Sequence, residues 1–108
     1  MIFDSLFESA NRRELILLDG GMCHWHLRRD GIITLREIIV LPQEQRKGIG
    51  KKILNMLLKV YGAKEIIARC PEKLNSNSWY EHMQFKLIGH QKTRTGKRVN
   101  IWRLVITN

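Results

Sequence analysis

Proline and cysteine are both scarce in this chain of 108 residues, with two of each. So few prolines leave long stretches free to pair as strands or wind as helices. Cys23 and Cys70 cannot build a disulfide framework, and their separation fits no pair of zinc ligands, so they read as reduced, buried thiols and no metal site is expected. No uninterrupted apolar run exceeds four residues (Leu15–Leu18 is one), against the ~20 that a membrane helix needs. The opening MIFDSLFESANRR has an early acid and no basic stretch ahead of an apolar core, so it does not read as a secretory signal. The expectation is a soluble, cytoplasmic protein with no membrane partner. Acid is the most unevenly missing component: no Asp or Glu follows Glu81.

What is present fits one globular domain spanning residues 1–108. Apolar residues make up 44% and charged residues 27%, enough for one core and too ordered a mixture for a disordered chain. The net charge is +9, and it is lopsided. Residues 1–54 carry 9 basic and 7 acidic side chains (+2), and residues 55–108 carry 10 and 3 (+7). Such an excess concerns partners rather than fold: a polyphosphate cofactor, an acidic acceptor or a nucleic acid. The basic residues lack the interleaved exposed aromatics that single-strand binders favour.

The periodicities give an order of elements. Asp4 to Arg13 has helical spacing, with Leu6, Phe7 and Ala10 on one face. Glu14–Leu18, Met22–Arg28 and Ile32–Leu41 read as strands separated by Asp19-Gly20-Gly21 and Asp30-Gly31, both strong hairpin turns. From Gly48 to Tyr61 the period changes to helical, with a stripe of Ile49, Ile53, Met56, Leu57 and Val60, and Gly62 ends it. Glu65–Cys70 is a strand, Asn75–Met83 a short helix, and Phe85–His90 and Val99–Ile106 are two more strands. The order α-βββ-α-β-α-ββ implies an α/β fold of α+β-like character, with a mixed central sheet flanked by helices.

The segment Val40-Leu41-Pro42-Gln43-Glu44-Gln45-Arg46-Lys47-Gly48-Ile49-Gly50-Lys51-Lys52 carries the chemistry. A buried strand ends, a polar loop with two glycines follows, and a helix begins. The first amides of that helix have no internal partners and lie at its positive end, so they suit an anion. It is not a phosphate-binding loop of the Walker type. That pattern needs glycine at the position of Gln45 and a hydroxyl where Lys52 stands.

Gln45-x-x-Gly48-x-Gly50 resembles the acetyl-CoA signature of the GNAT N-acetyltransferases, [Gln/Arg]-x-x-Gly-x-[Gly/Ala] between a strand and a helix. Trp79-Tyr80-Glu81-His82-Met83-Gln84-Phe85 is similar to that family's Phe-Tyr-Glu-Lys-Leu-Gly-Phe motif, with Gln84 in place of the glycine and Asn77 three residues before the tyrosine. The resemblance implies a GNAT-type fold and transfer of an acetyl group from acetyl-CoA to an amine by direct attack in a ternary complex. It also implies residue roles. The backbones of Gln45, Arg46, Lys47, Gly48, Ile49 and Gly50, with Lys51 beside them, would hold the pyrophosphate. Ile38, Ile39 and Val40 would pair with the pantetheine arm, in an opening between that strand and the one at 65–70. Asn77 would lie beside the pantetheine, and Tyr80 would face the sulfur and protonate the leaving thiolate. An alkylammonium with a pKa near ~10 must lose a proton before it attacks. Glu37, just before the cofactor segment, is the candidate base.

Three other features stand beside that reading. His24 and His26 share one face of a strand, but no third metal ligand is near them. Only one short helix precedes residue 14, where the family has a strand and two helices. The acceptor pocket is therefore expected to be abbreviated, or completed by a second subunit in a homodimer. The turn Gln91–Arg98 carries four cations and no acid. It suits an acidic acceptor, and it keeps open the alternative of a non-catalytic module that binds CoA or nucleic acid. Glu81 and His82 are expected on the exposed side of their helix.

Overall fold

A computed structural model describes residues 14–107. The helix expected over Asp4–Arg13 lies outside the described residues. The rest of the order appears as read. Strands β1 (Leu15–Leu18), β2 (Gly21–Leu27) and β3 (Ile32–Val40) form an antiparallel meander. A single 3-10 turn at Pro42–Glu44 leads to α1 (Ile49–Leu58). Then come β4 (Glu65–Pro71), α2 (Ser76–His82), β5 (Lys86–Lys92) and β6 (Arg98–Val105). The six strands make one mixed sheet in the order β1-β2-β3-β4-β6-β5, with β3 and β4 parallel across the α1 crossover.

Alternation divides the sheet into two faces. Cys23, Ile33, Leu35, Ile66, Ala68, Cys70 and Trp102 point to one face, where Ile53, Leu54 and Leu57 of α1 and Tyr80 of α2 pack on them. Alternation with these, and cross-strand pairing, place His24, Glu37, His26, Thr34, Glu65, Arg69 and Arg103 on the other face. There the His26 Nδ1 lies 2.6 Å from a Glu14 carboxylate oxygen, and Arg103 donates two bonds to Glu65.

Several boundaries differ from the expectation. Helix α1 stops at Leu58, before a turn that runs to Gly62, and Met56 is 46% exposed rather than part of the buried stripe. Gly50 and Leu54 take up that face. The last two strands reach Lys92 and begin at Arg98, which are paired with each other, so the basic turn narrows to residues 93–97. Strand β5 is an edge, exposed almost throughout, with a lysine at each end and an irregular register between Leu87 and Gly89.

The sheet is not closed along its whole length. The β3–β4 ladder runs only from Ile32↔Glu65 to Leu35↔Ala68, although both strands continue. At the same level β3 carries one extra residue: Leu35 pairs with Trp25 and Glu37 with His24, leaving Arg36 over as a bulge. A bulge bends and twists its strand. Beyond it β3 stays with β2 and parts from β4. The two parallel strands thus separate at residues 36–40 and 69–71.

Candidate functional site

The separation opens onto a cleft of about 740 Å³ on the helical face of the sheet. One wall is the end of β3, Ile38, Ile39 and Val40. A second is the loop and first turn of α1: Gln45, Arg46, Gly48, Ile49, Gly50 and Lys51. Of the ten positions expected to line a cofactor site from strand and loop, nine meet in this cleft; Lys47 instead points aside, 3.5 Å from Glu44.

The local conformations follow from the sequence. Gly48 caps α1 at φ +84° with open space around it, so a side chain there would be strained but not crowded. Gly50 is needed for another reason. A Cβ there would come within 2.8 Å of the Trp79 indole nitrogen, so the second glycine lets α2 lie against α1. Arg46 adopts φ +68°, a conformation costing a non-glycine residue about 1–2 kcal/mol. The Gln45 amide donates to the Val40 carbonyl at 3.2 Å and ties the loop to the strand end. The first turn of α1 holds no acid, and no side chain caps it. Its free amides therefore stay available at the mouth of the cleft, with Arg46 and Lys51 beside them.

The third wall comes from α2 and its flanks: Asn75, Ser76, Trp79, His82 and Met83. The sequence reading missed it. The signal was there, because 75, 79, 82 and 83 fall at helical spacing on one face. His82 is exposed as expected, but its exposed side faces the cleft.

Tyr80 points the other way, into the core. It is 4% exposed, edge-on to Trp79 and Phe85 at 5.2 Å and stacked on Trp102 at 6.1 Å. Burial raises the pKa of its phenol, and the neighbouring Cys70 and Cys23 thiols raise it further. Burial likewise pushes the Cys23 thiol up to about 12 and raises that of Cys70. Cys23 pairs with Ile38 on β3 and Cys70 lies at the end of β4, so these thiols flank the gap between the parted strands. The phenol holds its proton beneath that gap.

Asn77 is not a lining residue. Its amide nitrogen lies 2.9 Å from the Pro71 carbonyl, 2.7 Å from that of Leu74 and 3.2 Å from that of Glu72. Its carbonyl oxygen accepts from Asn100 and from the Trp102 indole at 3.0 and 2.9 Å. Both ends are committed to fastening α2 onto β4 and β6, which corrects the expectation of a residue turned to a ligand. Glu37 stands on the opposite face of the sheet from the cleft, beside the gap and across from His24. Among the described residues no group of three metal-ligating side chains occurs, and no helix is long and apolar enough to cross a membrane. The hairpin's charge is also smaller than the sequence suggests, because Arg98 pairs with Glu72 at 3.2 Å.

Residues 8–87 match the family model described as an acetyltransferase (GNAT) domain. Among solved structures, 97% of the chain superposes on 79% of a GNAT-family acetyltransferase from Bacillus cereus, with a TM-score of 0.82 and 16% identity. It covers 78% of an aminoglycoside 6'-N-acetyltransferase complexed with coenzyme A, over 94% of its own length, with a TM-score of 0.76 and 14% identity. Against a GNAT-family protein from Desulfovibrio desulfuricans the TM-score is 0.72 at 20% identity over 82% of the chain, which spans only 62% of that protein's length. At these identities the likeness is one of fold. No curated protein matches the chain.

Proposed function

The chain belongs to the GNAT acetyltransferase family, and from that membership we propose that it moves an acetyl group from acetyl-CoA to an amine by direct attack in a ternary complex. The observation that carries this reading is the cleft itself. A helix N-terminus with free amides, no acid in its first turn and two flanking cations opens beside a strand end that has lost its ladder partner, and the acid of the preceding loop, Glu44, is paired with Lys47. The fit to CoA is good on both counts: the amides suit a pyrophosphate, and the unpaired edge of Ile38–Val40 suits the amide groups of a pantetheine arm, like an added strand.

Acetyl-CoA supplies an activated acyl carbonyl. The chain's own groups do the rest. Amides from Arg46 to Gly50 hold the phosphates, and Arg46 and Lys51 add charge. The Ile39 or Val40 amide donates to the oxygen that gains charge as the amine attacks. The Tyr80 phenol, which burial keeps protonated, gives its proton to the departing thiolate. The Glu37 carboxylate takes the proton of the incoming ammonium from the far face of the gap.

Calorimetry with acetyl-CoA tests the cleft. Binding is expected, and Gly48→Glu should abolish it by strain and like charge; a wild type that shows neither heat nor a thermal shift at saturating cofactor overturns the reading. Tyr80→Phe and Glu37→Gln should then each lower kcat with cofactor affinity kept. Full activity in either variant would demote that residue to a packing or surface role.

A further inference from the structure

The acceptor must reach the gap from the face that the cofactor does not fill. That face has its own charge pattern. Glu37 lies beside the gap and has no ion-pair or hydrogen-bond partner among the described residues. Arg69, just past the last β3–β4 pair, is exposed, and its Nε donates to the Gln91 side chain on β5 at 3.3 Å. Gln91 is two strands away from β4, because β6 lies between them. The guanidinium therefore lies over β6, leading away from the gap. Beyond it, at the tip of the β5–β6 hairpin, stand Arg94 and Lys97. These three cations have no acidic partner among the described residues, whereas Arg98 and Arg103 are matched by Glu72 and Glu65.

We infer that the acceptor is the amine of an acidic polypeptide segment, lying across this face with its amine at Glu37 and its carboxylates over Arg69 and the hairpin tip. The inference rests on the acyl-transfer reading and deepens it by naming the substrate class. Its spacing follows from the sheet. Two strand intervals make about 10 Å, the reach of about three extended residues. The acids matched to Arg69 therefore fall at roughly the third and fourth residues from the acetylated amine, and the hairpin tip, about four residues further along β6 than Ile101, meets acids beyond them. A small amine would leave the cations unused. A nucleic acid would bring phosphates against the Glu37 carboxylate and would find no exposed aromatic side chain on this strip.

The test uses peptides with a free N-terminal amine that differ at residues three and four: both Glu, both Gln, or both Lys. Acetylation of the Glu peptide should exceed that of the Gln peptide by about tenfold in kcat/KM at low salt, the yield of two exposed charge pairs. The Lys peptide should be poorer still, and the preference should shrink in high salt. Arg69→Gln should collapse the preference, and Arg69→Lys should keep most of it. Fluorescence anisotropy of the labelled Glu peptide with CoA present reads the same lane without turnover. Equal use of the Glu and Gln peptides, an unchanged preference in Arg69→Gln, no anisotropy change, or displacement of the Glu peptide by an RNA oligomer of equal charge would each overturn the inference. A protein that fails to bind CoA in calorimetry yet still binds the Glu peptide through Arg69 would sink the acyl-transfer reading and leave this lane standing.

Discussion

The closed and open ends of the β3–β4 pair are built from the same kind of sequence and do opposite things. At the closed end, Ile33 and Leu35 face Ile66 and Ala68 with all four side chains buried. At the open end, Ile38, Ile39 and Val40 are just as apolar and β-branched, yet Ile39 is 43% exposed and all three line a cleft. The difference is one residue. The Arg36 bulge keeps β3 on β2 and turns it from β4, so apolar surface that would have been core becomes a wall. Hydrophobicity sets how much surface a strand offers, and register decides whether the protein keeps it or a ligand takes it.

Breaking the comparison at its closed end should have the largest effect. Ile33→Ala leaves a cavity at a fully buried site and should cost about 2–5 kcal/mol in urea unfolding, with a fall in Tm of at least ~10 °C. Ile39→Ala truncates a half-exposed side chain that alternates with Ile38 onto the face away from α1, and should change stability by no more than about 0.5 kcal/mol. If the two variants lose stability equally, the division into core and wall is wrong. Next comes the contact that sets the cleft's width. Gly50→Ala pushes a methyl into the Trp79 indole and should cost about 1–3 kcal/mol. Pairing it with Trp79→Leu should recover much of that loss, which a double-mutant cycle would read.

The buried thiol of Cys23 gives a graded effect, spread over pH. Cys23 is neutral in the folded chain with its pKa pushed up to about 12, whereas an unfolded cysteine ionises near ~8.5. Stability is therefore intact below that lower value and falls as pH rises between the two. The slope is about 1.4 kcal/mol per pH unit for this one group. Urea midpoints taken from pH 8 to 11 should show the fall, and Cys23→Ala should make it shallower. The smallest effect sharpens the far wall. Gln84 ends α2 at φ +69°, where glycine is unstrained, so Gln84→Gly should stabilise by about 1 kcal/mol. Thermal unfolding that shows no gain would mean another contact of Gln84 offsets the strain.

Much of this architecture was legible because turns and periods are local signals. The two Asp-Gly pairs placed the meander, and the stripe around Ile53 and Leu57 placed α1 against it. The paired glycines marked the loop, although only Gly48 is a matter of backbone conformation and Gly50 is a matter of Trp79. The bulge was not legible, since Leu35-Arg36-Glu37-Ile38 alternates no worse than its neighbours and the extra residue shows only against β2. The role of Asn77 was hidden for the same reason: its partners Asn100 and Trp102 are distant in sequence. The cleft face of α2 was missed because seven residues give barely two turns, too few to separate an exposed face from a ligand-lining one.

The edge strand β5 has a consequence for the protein in concentrated solution. It offers a seven-residue row of outward backbone groups, with Leu87 and Ile88 about half exposed, which is the material of which fibrils stack. What guards it is the irregular register at Ile88 and the repulsion of Lys86 and Lys92 between copies. Colloidal behaviour is therefore tied to two ammonium groups. Where these are neutralised, as by chemical acylation, the guard falls and edge-to-edge aggregation of the otherwise folded protein follows.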